Sequence, residues 1–283
     1  MNLWQWRNEA IDAIVDYYGI DEAETIITWL IADKLNYSRI QQVINRDKEI
    51  ELTDLNELES ALKRLVKLEP IQHIVGYEWF MGEKFLVNKD VLIPRPETGD
   101  LIDWINTQNL PENAKVLDAC TGCGCIATML KLKNPGWSVS AFDISAEAVE
   151  MAKKNAQVLL QNQTINYFDA DIFAVQNLPV NLDLIVSNPP YVALTEKPEI
   201  KPHVLSYEPH IALFAPENDA LIFYRRLFEI AETNLKPGGL LAFETNTALT
   251  DDVLDLFKTD QWTDIELIYD QFGLKRHCAG RKR

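Results

Sequence analysis

From Lys115 onward, short β-forming runs alternate with helical patterns, and this alternation constrains the fold more than any other feature. The run Leu-Asp-Leu-Ile-Val-Ser at 182–187 is apolar on both faces, as in a strand covered on both sides. Strands are predicted at 116–117, 138–144, 165–168, 182–187, 240–244, 265–269 and 276–279. Helices are predicted at 97–106, 126–132, 146–160, 220–235 and 250–258. This order indicates an α/β domain with a mostly parallel sheet, in which one of the last two strands is antiparallel because they lie so close in sequence.

The first 70 residues have a different, helical pattern. Ala23, Ile26, Ile27, Leu30 and Ile31 fall on one helical face, and leucines repeat similarly from 55 to 65. We expect four or five short helices in a small bundle. After Pro70, β-forming residues around Gly82 predict a hairpin. The predicted domains are therefore a helical bundle at 1–72, a hairpin linker at 73–93 and an α/β domain at 94–283.

The charge balance bears on the partners of the chain. The formal net charge is -16, from 27 Lys+Arg and 43 Asp+Glu, which argues against sequence-independent binding to a phosphate backbone. Lys275-Arg276 and Arg281–Arg283 form the one basic candidate, and a solvated C-terminus is its simplest interpretation. No stretch approaches the roughly 18 apolar residues of a membrane span, and no signal peptide is visible. We expect a cytoplasmic protein that binds neither membrane nor nucleic acid directly.

Polar residues follow three predicted strands in order, where ligands of such sheets bind. The first turn contains Cys120, Thr121, Gly122, Cys123 and Gly124, and its glycines allow positive φ and close approach of a ligand to the backbone. The second strand ends at Asp143, which is suited to accept hydrogen bonds from ribose hydroxyls. After the third, Asp171 could bond an adenine amine, with Ile172 and Phe173 packing on the ring. A nucleoside-type cofactor fits this pattern.

Three alternatives apply to this region. Each aspartate could simply cap the helix that follows it. A nicotinamide cofactor stays open, because Ala127 is tolerated at the third position of the Gly-x-Gly-x-x-Gly pattern. Cys120, Cys123 and Cys125 could suggest a metal, but a closed site needs a fourth ligand, and the remaining cysteine and the histidines are distant in sequence. We therefore predict reduced thiols and no metal.

Asn188-Pro189-Pro190-Tyr191 follows the fourth predicted strand. The prolines remove backbone donors and stiffen the loop, which leaves the Pro189 carbonyl free to accept. An amide nitrogen is a poor nucleophile, and a site that accepts both of its hydrogens can turn its lone pair toward an incoming methyl group. The Asn188 side-chain oxygen and the carbonyl could do so, while the Tyr191 ring stacks on the planar group. An ordinary proline turn is the alternative.

With these motifs, the chain resembles the HemK/PrmC family, the protein-(glutamine-N5) methyltransferases of peptide chain release factors. The resemblance covers residues 70–283 and rests on the following segments: Pro70–Gly76, Phe80–Gly82, Val91–Thr98, the cofactor loop, Val186–Tyr191, Tyr207–Pro209, Ala212–Leu213, and Asp270, Gly273 and Arg276. The N-terminal block is similar to the family's release-factor-binding domain in length and character. The chain differs at Cys120, where the family usually has glycine, and at Gly99, where it usually has glutamate.

The resemblance implies a class I (Rossmann-like) methyltransferase domain with a mostly parallel seven-stranded sheet, preceded by a helical bundle. It implies S-adenosyl-L-methionine as cofactor and the glutamine of the Gly-Gly-Gln motif of release factors as substrate. It implies that Asn188, Pro189, Pro190 and Tyr191 bind substrate and catalyse transfer. The implied cofactor-binding residues are Cys120, Thr121, Gly122, Cys123, Gly124, Asp143, Asp171, Ile172 and Asn188. A nucleic-acid base methyltransferase, which shares the tetrapeptide but should have a basic face, and a non-catalytic module inactivated by Cys120 are the alternatives.

Overall fold

The computed structural model of the chain describes residues 1–216 and 219–283. Its α-helices are α1 Leu3–Asp12, α2 Val15–Tyr18, α3 Ile20–Leu35, α4 Arg39–Ile44, α5 Leu52–Leu65, α6 Ile71–Val75, α7 Pro96–Thr107, α8 Cys125–Lys133, α9 Ala146–Leu160, α10 Pro202–Tyr207, α11 His210–Leu213, α12 Ile222–Asn234 and α13 Thr250–Leu256, and a 3-10 helix spans Leu194–Glu199. Its strands are β1 Tyr77–Phe80, β2 Glu83–Leu86, β3 Lys115–Ala119, β4 Ser138–Asp143, β5 Asn166–Asp169, β6 Leu182–Ser187, β7 Leu235–Glu244, β8 Trp262–Tyr269 and β9 Lys275–Lys282. Within these ranges, none of the helices is both long and apolar enough to cross a membrane.

The chain divides into two compact units, and the first is helical. It comprises Met1–Gly76 together with Lys201–Tyr207. Five helices, α1 to α5, lie within residues 1–70, which confirms the four or five expected there, and α6 follows at Ile71–Val75. Its core is built on fully buried side chains such as Trp6, Ile27 and Leu58.

The second segment of this unit, α10, comes from far along the chain. The Tyr207 hydroxyl donates to the Lys67 carbonyl at 2.8 Å. The Tyr17 hydroxyl and His203 Nδ1 are hydrogen-bonded at 3.1 Å. Periodicity does not predict this arrangement, because α10 is short and its partners lie some 140 to 186 residues earlier. The division into a docking bundle at 1–72, a hairpin linker at 73–93 and a methyltransferase domain at 94–283 stays a prediction.

The second unit, Tyr77–Ile200 with Glu208–Arg283, is an α/β sandwich. Seven of its strands form one sheet in the order β5-β4-β3-β6-β7-β9-β8. The pairs from β5 to β7 are parallel, and β9 runs antiparallel to both β7 and β8, as predicted for one of the last two strands. β6 is buried at every residue, as its two-sided apolar sequence requires. The strand order reverses direction between β3 and β6, so their carboxyl ends form a cleft where ligands bind.

One local expectation needs correction, one segment holds elements that were not predicted, and one expectation is confirmed. The basic residues 275–283 are not a solvated tail, since most of them form β9, where Lys282 Nζ donates to the Glu232 and Leu235 carbonyls at 2.6 and 2.8 Å. The segment 194–213 contains three short helical turns that sequence periodicity did not reveal. The hairpin around Gly82 is present as the antiparallel pair β1–β2 and lies in the second unit.

Candidate active site

A cavity of about 440 Å³ opens at the carboxyl ends of the parallel strands. Most of the predicted site residues line it, namely Cys120, Thr121, Gly122, Cys123, Asp143, Asp171, Ile172, Asn188 and Pro190. The register of the sheet explains their proximity, because Ala119 pairs with both Phe142 and Ser187. The turns after β3, β4 and β6 therefore leave the sheet side by side. Residues from three distant parts of the sequence converge on one cavity.

The turn after β3 has the backbone geometry of a ligand cradle. Cys120, Gly122 and Gly124 have φ of +59°, +55° and +80°, so its amides turn away from strand geometry. Of these three residues only Cys120 has a Cβ. Backbone in the left-handed region costs such a residue about 1–2 kcal/mol. This conformation accounts physically for the glycine usual at this position in the family that the sequence resembles.

Asp118 holds this turn in place from below. Its Oδ2 accepts from Thr121 Oγ1 at 2.6 Å and from the Ala127 backbone amide at 3.2 Å. The side chain is fully buried, and this burial raises the pKa of Asp118 to about 7. Asp118 therefore ties the turn to the first residues of α8 and does not line the cavity.

Asp143 lies at the end of β4 and contacts the same turn. Its Oδ2 accepts from the Gly122 amide at 2.9 Å, and its Oδ1 accepts from the Ser145 amide at 3.0 Å. Burial raises the pKa of Asp143, while these backbone donors oppose the rise. Each carboxylate oxygen has a second lone pair, so both can still accept from a ligand such as a ribose diol. Asp143 is both an organiser of the turn and an available acceptor.

The far wall of the cavity is apolar. Ile172 is 4% exposed, and its carbonyl accepts from Arg226 Nε at 2.9 Å. The rings of Phe173 and Phe223 lie 5.1 Å apart between centroids, and both line the cavity. Asp171 Oδ1 accepts from the Phe173 amide at 2.9 Å, which turns the chain at this point. The wall offers a flat apolar surface beside a carboxylate, which suits a heteroaromatic ring carrying an amine.

The tetrapeptide begins at the end of β6. Asn188 is half-buried and lines the cavity together with Pro190. The chain after it is held by a short bridge, in which the Val192 amide donates to the Leu213 carbonyl at 3.0 Å and the Ala215 amide donates to the Val192 carbonyl at 2.9 Å. Around this bridge, the cavity wall includes Pro209, Ile211, Ala212 and residues 214–216.

Three predicted site residues do not line the cavity. A Cβ on Gly124 would lie 2.8 Å from the Ala152 Cβ, so this glycine permits close packing of α8 on α9. Pro189 is buried. The Tyr191 ring packs against the apolar cluster between β7 and α12, and burial raises the pKa of Tyr191. Their assignment to cofactor or substrate stays a prediction.

The structure adds residues that the motif reasoning did not use. Thr98 and Arg95 line the cavity from the start of α7. Glu208, which is 4% exposed, accepts from the Ile93 amide at 3.1 Å and pairs with the Arg95 guanidinium, which fixes the loop that precedes α7. Asn155 on α9 donates to the Cys123 carbonyl at 2.9 Å and bonds both backbone groups of Leu86. Arg95, Thr98 and Glu208 lie in segments that carry the family resemblance, whereas no sequence signal marks Asn155, because its partners lie tens of residues away.

All four cysteines are free thiols in the structure. Cys123 is 2% exposed and packs with Val87, Val91 and Ala148. Within residues 1–216 and 219–283, no group of three or more His, Cys, Asp or Glu side chains is arranged to hold a metal ion. Cys123 thus contributes to packing, and Cys120 contributes its positive φ to the turn.

Comparison with known proteins defines the family of the chain. Residues 5–76 match the PrmC N-terminal domain, and residues 101–205 match the Methyltransferase small domain. A release factor glutamine methyltransferase of Bacteroides thetaiotaomicron is 39% identical over 265 residues, covering 93% of this chain and 94% of the relative. One of Flavobacterium psychrophilum is 37% identical over 280 residues, covering 98% of each chain. The chain belongs to the release factor glutamine methyltransferase family.

Solved structures agree with the fold expected of a release factor glutamine methyltransferase. A methyltransferase of Pyrococcus furiosus superposes with a TM-score of 0.52 at 18% identity, over 71% of this chain and 89% of that one. The hMettl16 catalytic domain superposes with a TM-score of 0.54 at 16% identity, over 82% and 86%. At such identities the likeness concerns the fold alone. These superpositions show a class I, Rossmann-like methyltransferase fold. Membership of the family shows an enzyme whose cofactor is S-adenosyl-L-methionine.

The cavity fits this cofactor on physical grounds. The positive-φ turn at 120–124 gives close backbone approach, Asp143 keeps free lone pairs, and the Ile172 wall is apolar. In this arrangement, Asp143 would hold the ribose, and Asp171 with Ile172 would hold the adenine. When bound, the cofactor supplies an electrophilic methyl group on a sulfonium.

Proposed function

We propose that this enzyme transfers a methyl group from S-adenosyl-L-methionine to the side-chain amide nitrogen of the glutamine in the Gly-Gly-Gln motif of peptide chain release factors. One observation supports this above others: Asn188 and residues 120–123 line the same cavity, at adjacent strand ends. The names of the relatives give the substrate class, and they match this chain over nearly its whole length.

The chemistry follows from the acceptors at the tetrapeptide. The Asn188 Oδ1 and the Pro189 carbonyl can each accept one hydrogen of the substrate amide. Two such contacts orient the nitrogen so that its lone pair faces the methyl donor. Methyl transfer then depends mainly on placing the substrate nitrogen in line with the methyl donor. The new N–C bond lowers the pKa of the nitrogen, which then loses its proton to water. No strong general base is required at Asn188.

Competition between substrates tests this function. Full-length enzyme is incubated with methyl-labelled cofactor, a purified release factor and total RNA in one reaction. We expect label on the release factor alone, and none on a factor whose motif glutamine is replaced by alanine. Label on the RNA would instead support a nucleic-acid base methyltransferase, which the net charge of -16 disfavours.

The helical unit is proposed to dock the release factor. On α4, three apolar side chains are exposed at positions one turn apart: Ile40 at 73%, Val43 at 59% and Ile44 at 73%. Exposed apolar side chains on one helical face are typical of protein-binding surfaces. Because the target glutamine lies within a folded protein, a docking surface raises its local concentration at the site. Both proteins would meet in the cytoplasm, where translation takes place.

Charged substitutions test the docking proposal in the intact chain. We expect Ile40→Asp with Ile44→Asp to raise KM for the whole release factor about tenfold, while turnover of a short Gly-Gly-Gln peptide stays unchanged. Val158→Asp is the matched control, since Val158 is 64% exposed on α9 of the other unit. Equal KM values for the double variant and the control would exclude the α4 face as the docking surface.

A further inference from the structure

The hydroxyl of Thr98 lies between the Asn188 amide and a buried carboxylate. Thr98 Oγ1 is 2.6 Å from Glu244 Oε2 and 3.4 Å from Asn188 Nδ2. Thr98 and Glu244 are each 2% exposed, so bulk water does not replace these contacts. The three side chains come from the start of α7 and from the ends of β6 and β7. The parallel pairing of β6 with β7 brings them together.

The number of hydrogens on each group decides which atom donates and which accepts in these two contacts. A threonine hydroxyl has one hydrogen to donate, and an ionised carboxylate can only accept. Thr98 therefore directs its hydrogen to Glu244 and can only accept from Asn188. The Asn188 atom that faces Thr98 must then be the nitrogen, whatever the substrate. The Asn188 oxygen is left on the opposite side of the amide.

We propose that Glu244 and Thr98 form a relay that fixes the rotamer of the Asn188 amide, so that its oxygen is presented to the N–H of the substrate glutamine. The inference rests on the proposed function of the site. A flipped Asn188 amide would turn two N–H donors toward the N–H donors of the substrate, which removes the acceptor and adds repulsion. Both Glu244 and Thr98 act through Asn188, so they are positioning residues.

The charge on Glu244 connects the relay to pH. Burial raises the pKa of Glu244 to about 7, while Arg276 and Arg95 favour its ionised form. The other titratable groups around it are Glu97, Cys125, Tyr191, Tyr224 and, as its strand neighbour on β9, His277. A protonated Glu244 can donate to Thr98, so the hydroxyl no longer has to accept from Asn188. Turnover is therefore expected to fall as the pH drops through about 7.

The test compares substitutions on one helix. Thr98→Val removes the hydroxyl at constant shape, and Thr98→Ser keeps it. Thr107→Val, at the exposed end of α7, is the matched control. We expect Thr98→Val to lower kcat for release factor methylation about tenfold to a hundredfold, the usual range for one lost hydrogen bond at the transition state. Cofactor Kd should stay within about twofold, and Thr98→Ser should restore most of the turnover.

A second variant keeps the relay testable if Thr98→Val does not fold. Glu244→Gln retains an acceptor for Thr98 but cannot ionise, so its kcat should lack the acid limb near pH 7 that the wild type shows. Unchanged kcat in Thr98→Val, a Thr98→Ser enzyme as slow as Thr98→Val, or the same acid limb in Glu244→Gln would each overturn the relay. A wild-type enzyme that does not methylate release factor would refute the proposed function itself.

Discussion

Replacement of Asp143 separates its two roles, as an organiser of the turn after β3 and as an acceptor for the cofactor. Both of its oxygens already accept from backbone amides, those of Gly122 and Ser145, at 2.9 and 3.0 Å. If it were only a cap and turn organiser, its loss would weaken the free protein and affect the cofactor little. If its remaining lone pairs hold the ribose, the loss appears mainly in cofactor affinity.

The magnitude follows from the number of contacts removed. Loss of a charged acceptor from a hydrogen-bonded site costs about 1–3 kcal/mol. For Asp143→Ala we therefore expect cofactor Kd to rise about fivefold to 150-fold. Asp143→Asn keeps one oxygen and should cost about 1 kcal/mol, or roughly fivefold. The order wild type, Asn, Ala in affinity is the expected signature.

Calorimetric titration with S-adenosyl-L-methionine measures the affinities, and thermal unfolding of the free proteins measures the damage to the turn. Asp169→Ala is the matched control, because Asp169 pairs with Asp143 in the sheet register but is exposed and does not line the cavity. An Asp143→Ala protein with wild-type Kd and a lowered melting temperature would refute the ribose assignment. Equal losses in both alanine variants would show a general charge effect.

Asn188→Ala should lower kcat at least a hundredfold while cofactor Kd changes less than about threefold, because the contact of Asn188 with the substrate amide acts in the transition state. Normal turnover of this variant in steady-state kinetics would remove Asn188 from the mechanism. Gly280→Ala should destabilise the protein by about 1–3 kcal/mol, since a Cβ there would lie 2.6 Å from the buried Phe257 ring. In denaturant unfolding, adding Phe257→Leu should restore part of this loss. Unchanged stability of Gly280→Ala alone would contradict the packing argument. His277 is fully buried, and burial lowers its pKa to about 4, so the unfolded chain binds its proton first as the pH falls below 6.5. Stability should thus drop by up to about 3 kcal/mol between pH 6.5 and 4, and urea titrations of His277→Asn should lack this share of the slope; parallel curves for both proteins would exclude His277 as the source.

The sequence alone determined the strands of the large sheet, the longer helices and the order in which they follow one another. The helix at 146–160 and the strand at 182–187 have the bounds that periodicity predicted, because each pattern is strong and uninterrupted. The positions of Asp143 and Asn188 at strand ends follow from the same patterns. Parallel strands share one carboxyl edge, so the placement of the cavity was also predictable from sequence.

The tertiary structure decided which distant residues act together. Thr98 and Glu244 meet across 146 residues, and Lys201–Tyr207 belongs to the same compact unit as the N-terminal helices. Gly124 lies in the predicted cofactor turn, and only the packed structure shows that it also allows α8 to approach α9. Periodicity and turn chemistry act over a few residues, whereas these contacts depend on how the whole sheet and its helices pack. No local pattern encodes such packing, because each contact needs every intervening element in place.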